Sequence, residues 1–209
     1  MEQEPDHSAG TARVLPVGDG AFTLAVSAAP GPALSARLRA LGERMLGEPG
    51  VLDTVQSFQT LTVFHAPDAD RAALEAAAQA ALAHTGSAAS EGRLWEVPGR
   101  FDAAAGPDQA SAAEALGTTP DALIETLLAE PWPVLAVGFI AGFPFLGPLP
   151  PALKLPRRQT PRTRVPAGSI AIANGFCGIY PWVSPGGWHI LGHTDFRLFD
   201  ASADPPAQL

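Results

Sequence analysis

The chain has 209 residues, 46% of them hydrophobic, and a formal charge of −8; this is enough for one large or two small domains with buried cores, and the acidic balance argues against nucleic-acid binding, which needs a basic footprint. A single cysteine, Cys177, excludes an intramolecular disulfide and fits a reducing compartment. The polar, acidic start MEQEPDHSAG lacks the basic and apolar regions of a signal peptide, and no apolar run reaches the length of a membrane span, so the reading is a soluble, cytoplasmic protein.

In chain order, residues 1–10 read as a disordered tail. Arg13–Val17 and Ala21–Ser27 read as strands around a Gly18-Asp19-Gly20 turn. From Pro32 to Leu46, apolar residues at 34, 38, 41 and 45 have helical spacing. Val51–Phe58 and Leu61–His65 are rich in β-branched and aromatic residues and predict two more strands. Asp68 to His84 is an alanine-rich helix with Asp68 as its cap. The order ββαββα over residues 11–88 predicts a small α+β domain, its helices on one face of an antiparallel sheet. The small polar run TGSAASEG, residues 85–92, marks the boundary, and residues 89–209 form the second domain. There a strand at Arg93–Val97 precedes helices at about Asp108–Leu116 and Pro120–Glu130. Thr119 stands as N-cap of the latter, with Pro120 at its first position. Beyond Glu130, proline and glycine punctuate short apolar runs, among them Val134–Ile140, Ser169–Ala173, Trp188–Leu191 and Phe196–Phe199. That pattern predicts a β-barrel or sandwich.

The charge distribution holds the functional signal. No Asp or Glu occurs from Pro131 to Thr194, yet the stretch contains Lys154, Arg157, Arg158, Arg162 and Arg164. A basic loop without counter-charges in an acidic chain calls for an anionic partner, and the guanidinium fork suits carboxylate or phosphate. The bland reading is a solvated charge run, or arginines paired with acids of the first domain. In an extended Thr160–Val165, residues Thr160, Arg162 and Arg164 project to one side and Thr163 to the other. Two guanidiniums and a hydroxyl on one face make an anion clamp, with Ser169 at the loop's far end. Two glycine-rich segments are placed as the rest of the pocket: Ala141-Gly142-Phe143-Pro144-Phe145-Leu146-Gly147, with Phe143 or Phe145 as a wall, and Ser184-Pro185-Gly186-Gly187-Trp188, with backbone N–H groups, a hydroxyl and an indole. The spacing of Gly142 and Gly147 imitates a P-loop, but Pro148 stands where Lys is required. His189 and His193 fall in a strand-like run, where residues four apart are roughly 13 Å apart, too far for one metal ion; no metal ligands are assigned. Cys177 reads as a small core residue.

These motifs resemble the KipI family, also called allophanate hydrolase subunit 1, whose members include the B-type component of the ATP-hydrolysing 5-oxoprolinase. Gly138 to Leu149 is similar to the family's GFxPGFPYLGGL. Pro156 to Ala173 is similar to PRRxTPRTRVPAGSVAIA, Gly178–Pro181 to GIYP and Ser184–Trp188 to SPGGW. Gly106-Pro107-Asp108 is similar to a GPDL-like element, and Pro16–Asp19 to the family's PLGDSA start. Ala141, Phe145 and Pro148 depart from the family's Pro, Tyr and Gly, and His189 and His193 stand where Gln and Arg are commoner. The resemblance implies a small α/β N-terminal domain and a cyclophilin-like C-terminal β-barrel. It implies partners of the allophanate hydrolase subunit 2 (KipA) type and of the LamB/YcsF type, ATP as co-substrate, Mg²⁺, and cleavage of 5-oxoproline to glutamate. Arg162, Arg164 and Asp108 are then the catalytic candidates, Asp108 being the nearest family-matched carboxylate for Mg²⁺. Lys154, Arg157 and Arg158 join the pocket residues above in holding substrate or nucleotide. Two alternatives stay open from the same resemblance: a regulator inhibiting a sensor histidine kinase, and a subunit of a urea carboxylase-like system.

Overall fold

The computed structural model describes residues 12–84, 92–204 and 206. The expected N-terminal tail, and the expected boundary at 85–92 apart from Gly92, lie outside the described residues. The chain divides into two compact units, Met1–Glu91 and Gly92–Leu209.

In the first unit, strands β1 (Ala12–Val17), β2 (Ala21–Val26), β3 (Val51–Gln56) and β4 (Thr60–His65) form an antiparallel sheet in the order β1-β2-β4-β3. Helices α1 (Pro32–Met45) and α2 (Arg71–His84) complete the ββαββα order. The strand period sorts the side chains: Phe22, Leu24, Val26, Leu61 and Val63 are buried against Leu34, Leu38, Leu41, Met45, Leu74 and Ala78 of the helices. On the other face Thr23 and Thr62 are register partners joined by a 2.8 Å hydroxyl hydrogen bond. The α2 start corrects one expectation. Asp70, not Asp68, caps it, its carboxylate accepting from Ala73 N–H at 3.1 Å.

The second unit contains α3 (Gln109–Leu116), α4 (Pro120–Leu128) and strands β5 (Val134–Val137), β6 (Pro144–Leu146), β7 (Arg162–Val165), β8 (Ser169–Ala173), β9 (Phe176–Ile179), β10 (Ser184–Gly186) and β11 (His189–His193). Thr119 caps α4 as its sequence predicts, accepting from Ala122 N–H at 3.2 Å. The strands register as a five-stranded antiparallel sheet, β11-β8-β9-β6-β5, and a two-stranded ribbon of β10 and β7. The mixed α+β class is therefore the observed one, its C-terminal strands lying in these two ladders.

Strand β8 is buried along its whole length and separates two cores. Ile170 and Ile172 face Ala112, Leu123, Leu127 and Leu191, and thus the helices. Ala171 and Ala173 belong with Phe143, Tyr180, Trp188 and Ile190. Small residues make that second face flat enough for aromatics. Gly178 pairs with Ala171, and a Cβ at Gly178 would come within 2.5 Å of Phe143 Cζ. Two predicted strands are absent. Arg93–Val97 has strand-like alternation but no ladder partner. Instead the Arg93 guanidinium sits 3.8 Å over the Trp95 ring, which meets Phe196 edge-on. Phe196–Phe199 likewise lies outside the named strands.

Candidate functional site: an arginine-lined cavity in the second unit

The site begins with Asp108, at the N-cap position of α3. Its side chain makes no cap hydrogen bond. It turns inward instead, 3% exposed. Arg158 Nη1 donates to Oδ1 at 2.7 Å, Arg162 donates to Oδ1 and Oδ2 at 2.8 Å each, and Ile190 N–H donates to Oδ2 at 2.7 Å. Asp108 N–H returns a bond to Ile190 O, and Gln109 Nε2 donates to Leu191 O. The start of α3 is thereby tied to β11, and β7 to both. Burial pushes the Asp108 carboxyl up, but the hydrogen bonds from Arg162 and Ile190 N–H and the charges of Arg162 and Arg158 outweigh it. The group titrates below the ordinary carboxylate value.

This geometry corrects two expectations. Arg158 and Arg162 do have a counter-charge, in their own unit. A carboxylate offers about four acceptor positions, and four bonds fill those of Asp108, so it is not free to hold Mg²⁺ or to serve as a base. Among the described residues no cluster of three or more His, Cys, Asp or Glu is arranged to bind a metal, and Asp108, its acceptor positions filled, does not fit as the carboxylate of a Mg²⁺ site.

Above the knot lies a cavity of about 390 Å³. Arg162 and Arg164 both line it, as the two-sided reading of the loop requires, and Ser169 joins them. Arg100 and His193 complete the polar lining. They arrive together because an isolated antiparallel bridge joins them: Arg100 N–H donates to His193 O at 2.7 Å, and His193 N–H to Arg100 O at 2.9 Å. Ala104, Ala105 and Pro107 add an apolar side. Sequence reasoning missed Arg100 and the alanine wall, because a bridge between residues so distant in the chain leaves no local signal.

The remaining predicted residues lie elsewhere in the unit. Thr160 occupies a bend before β7, and Thr163 is exposed on β7. The Lys154 stem runs beside Gly175, and Arg157 is close enough to Tyr180 for its charge to oppose the upward push of burial on that phenol. Phe143 and Trp188 are interior, 1% and 6% exposed, with ring centroids 5.6 Å apart, so they form core and not a ligand wall. Pro144 is buried at the start of β6. Gly142 has φ +78° and packs on Phe199, while Gly186 packs on Tyr180; both glycines are required by protein packing. Gly187 O accepts from Arg158 N–H at 2.7 Å. Among the described residues, Ser184 Oγ is buried without a hydrogen-bond partner. Burial raises Cys177 to about 12, which keeps it a thiol at neutral pH. His189 and His193 are on β11, as the alternation predicts, and His189 Nε2 is 3.0 Å from Pro156 O. No helix among the described residues is long and apolar enough to cross a membrane.

Residues 12–209 match the family of the carboxyltransferase domain, subdomain C and D. The chain belongs to this family. It is also 33% identical over 196 residues to the B-type component of 5-oxoprolinase from Haemophilus influenzae, covering 94% of this chain and 92% of that protein. Among solved structures, the crystal structure of TTHA0988 is 35% identical with a TM-score of 0.77, covering 90% of this chain. The match spans 38% of that longer chain. The urea amidolyase of K. lactis shares the fold, with a TM-score of 0.73 at 16% identity over 98% of this chain and 14% of that one. The fold thus occurs both in free-standing chains of this size and in segments of much longer ones. The Arg158–Asp108–Arg162 knot and the cavity above it belong to this carboxyltransferase-type segment.

Proposed function

We propose that the chain is one subunit of an ATP-dependent 5-oxoprolinase, which opens 5-oxo-L-proline to L-glutamate as ATP is hydrolysed. The observation that carries this reading is the cavity: three arginines and no carboxylate line it, in a chain similar along 94% of its length to a 5-oxoprolinase component. The substrate is a small anion, and guanidinium groups recognise its carboxylate.

Amide resonance makes a lactam a poor electrophile. Opening it calls for an activated carbonyl, supplied in this reading by ATP as co-substrate, and for a base to prepare water. This chain contributes binding and orientation: cationic side chains hold the anion, and the apolar wall keeps water from one side of the ring. Among the described residues no carboxylate lines the cavity, so the Mg²⁺ and base functions are assigned to partners. Those partners are of the allophanate hydrolase subunit 2 (KipA) type and the LamB/YcsF type. Co-expression with them, followed by an assay for 5-oxoproline-dependent ADP and glutamate release, tests the assignment. The isolated chain should be inactive and the assembly active. Turnover by the isolated chain overturns the shared site. An assembly that ignores 5-oxoproline overturns the substrate and favours the kinase-regulator role.

A further inference from the structure

The cations around the cavity are not equivalent. Both terminal nitrogens of Arg162 already donate to Asp108, so this side chain contributes field more than new hydrogen bonds. Arg158 is committed to the same carboxylate. Arg100 and Arg164 differ: among the described residues no carboxylate lies within ion-pair distance of either guanidinium. The nearest acid in sequence to Arg100 is Asp102, and its Oδ1 accepts the N–H groups of Ala104 and Ala105 at 2.9 and 3.0 Å. Those bonds form the turn that presents Ala104 and Ala105 to the cavity. One carboxylate therefore shapes the apolar wall and another restrains Arg162, while Arg100 and Arg164 keep their donors available.

We infer that Arg100 and Arg164 are the ligand-contacting pair, and that they grip the carboxylate of a small ring compound whose apolar side rests on Ala104, Ala105 and Pro107. This deepens the reading of the cavity given above and rests on it for the identity of the ring. Three features favour a ring carboxylate over a nucleotide phosphate. The cavity is at the low end of small-molecule sites, about 300–1,000 Å³. Much of its wall is apolar in character, which a triphosphate cannot use. Among the described residues no carboxylate lines the cavity, Asp195 meeting the ring of the lining His193 at 3.6 Å, whereas nucleotide sites commonly hold Mg²⁺ through one or two. Arg100 is positioned for this by the backbone bridge to His193, so its Cα is fixed while its side chain remains exposed.

The test is a chemical-shift titration of the full chain with four probes: 5-oxo-L-proline, cyclopentanecarboxylate, 2-pyrrolidinone and inorganic phosphate. Both ring carboxylates should perturb cavity residues, while 2-pyrrolidinone, which has the ring but no carboxylate, should not. Arg100→Gln and Arg164→Gln should each weaken carboxylate binding about 10- to 150-fold, the loss expected for a charge-assisted hydrogen bond. Arg13→Gln, an exposed change in the other unit, should leave it unaltered and controls for net charge. Binding of cyclopentanecarboxylate through both arginines without binding of 5-oxo-L-proline supports this inference and removes 5-oxoproline as the substrate. The inference is overturned if neither ring carboxylate perturbs the cavity. It is equally overturned if phosphate binds there more tightly than both, or if the two glutamine variants bind like wild type.

Discussion

The Arg71–Glu75 pair of the first unit and the Arg158–Asp108–Arg162 knot of the second use the same ion chemistry in different settings. Arg71 Nε meets Glu75 Oε1 at 2.6 Å on the surface of α2, one helical turn apart, with both side chains about a third exposed. The unit around it is held by an ordinary core, in which strand alternation and helix periodicity agree. In the second unit the strands are three to five residues long, too short to define their neighbours by ladders alone. A buried carboxylate does part of that work, joining α3, the segment that carries Arg158, β7 and β11 through four hydrogen bonds. The difference shows how a segment of irregular strands can be fixed in place while some of its cations stay available to a ligand.

The comparison breaks if the two ion sites prove equally dispensable. Removing one partner of a buried ion pair costs about 3–5 kcal/mol. The guanidiniums here keep 26–29% exposure, which places Asp108→Ala at the low end, about 3 kcal/mol, in chemical denaturation of the second unit. The pH dependence sharpens it. The folded carboxyl titrates below the unfolded value of about 3.9. Its stabilisation is therefore fully present above about pH 4 and is lost as pH falls through the folded value. The stability gap between wild type and Asp108→Asn should accordingly shrink on acidification below about pH 4; a gap independent of pH contradicts the knot. At the other extreme, Glu75→Ala should change stability by about 0.3 kcal/mol and less in high salt. A loss above about 1 kcal/mol would place that pair among structural supports, not surface pairs.

Much of this contrast is legible in the sequence. Helix α1 follows from spacing and α2 from its alanine-rich run, Thr119 announces α4, and β8 has the bounds its apolar run suggests. The arginine loop is equally plain, because 64 positions without an acid stand out in a chain of 21 acids. What the sequence does not carry is pairing at a distance. Asp108 reads as the start of a helix and as a carboxylate for Mg²⁺ until folding brings Arg158 and Arg162 to it across 50 and 54 positions. Arg100 has no motif at all. Phe143 and Trp188 resemble ligand walls because glycine-rich flanks suit both a binding loop and close aromatic packing; Ala171, Ala173 and Gly178 decide for packing. Arg93–Val97 fails as a strand because alternation specifies a face and not a partner.

The central claim is that the arginine-lined cavity is where this subunit acts on its anionic substrate. The most direct test is Arg164→Gln within the reconstituted assembly, with assembly verified by size-exclusion chromatography. The kcat/KM for 5-oxo-L-proline should fall about 10- to 150-fold. An intact assembly with wild-type kcat/KM would contradict the account.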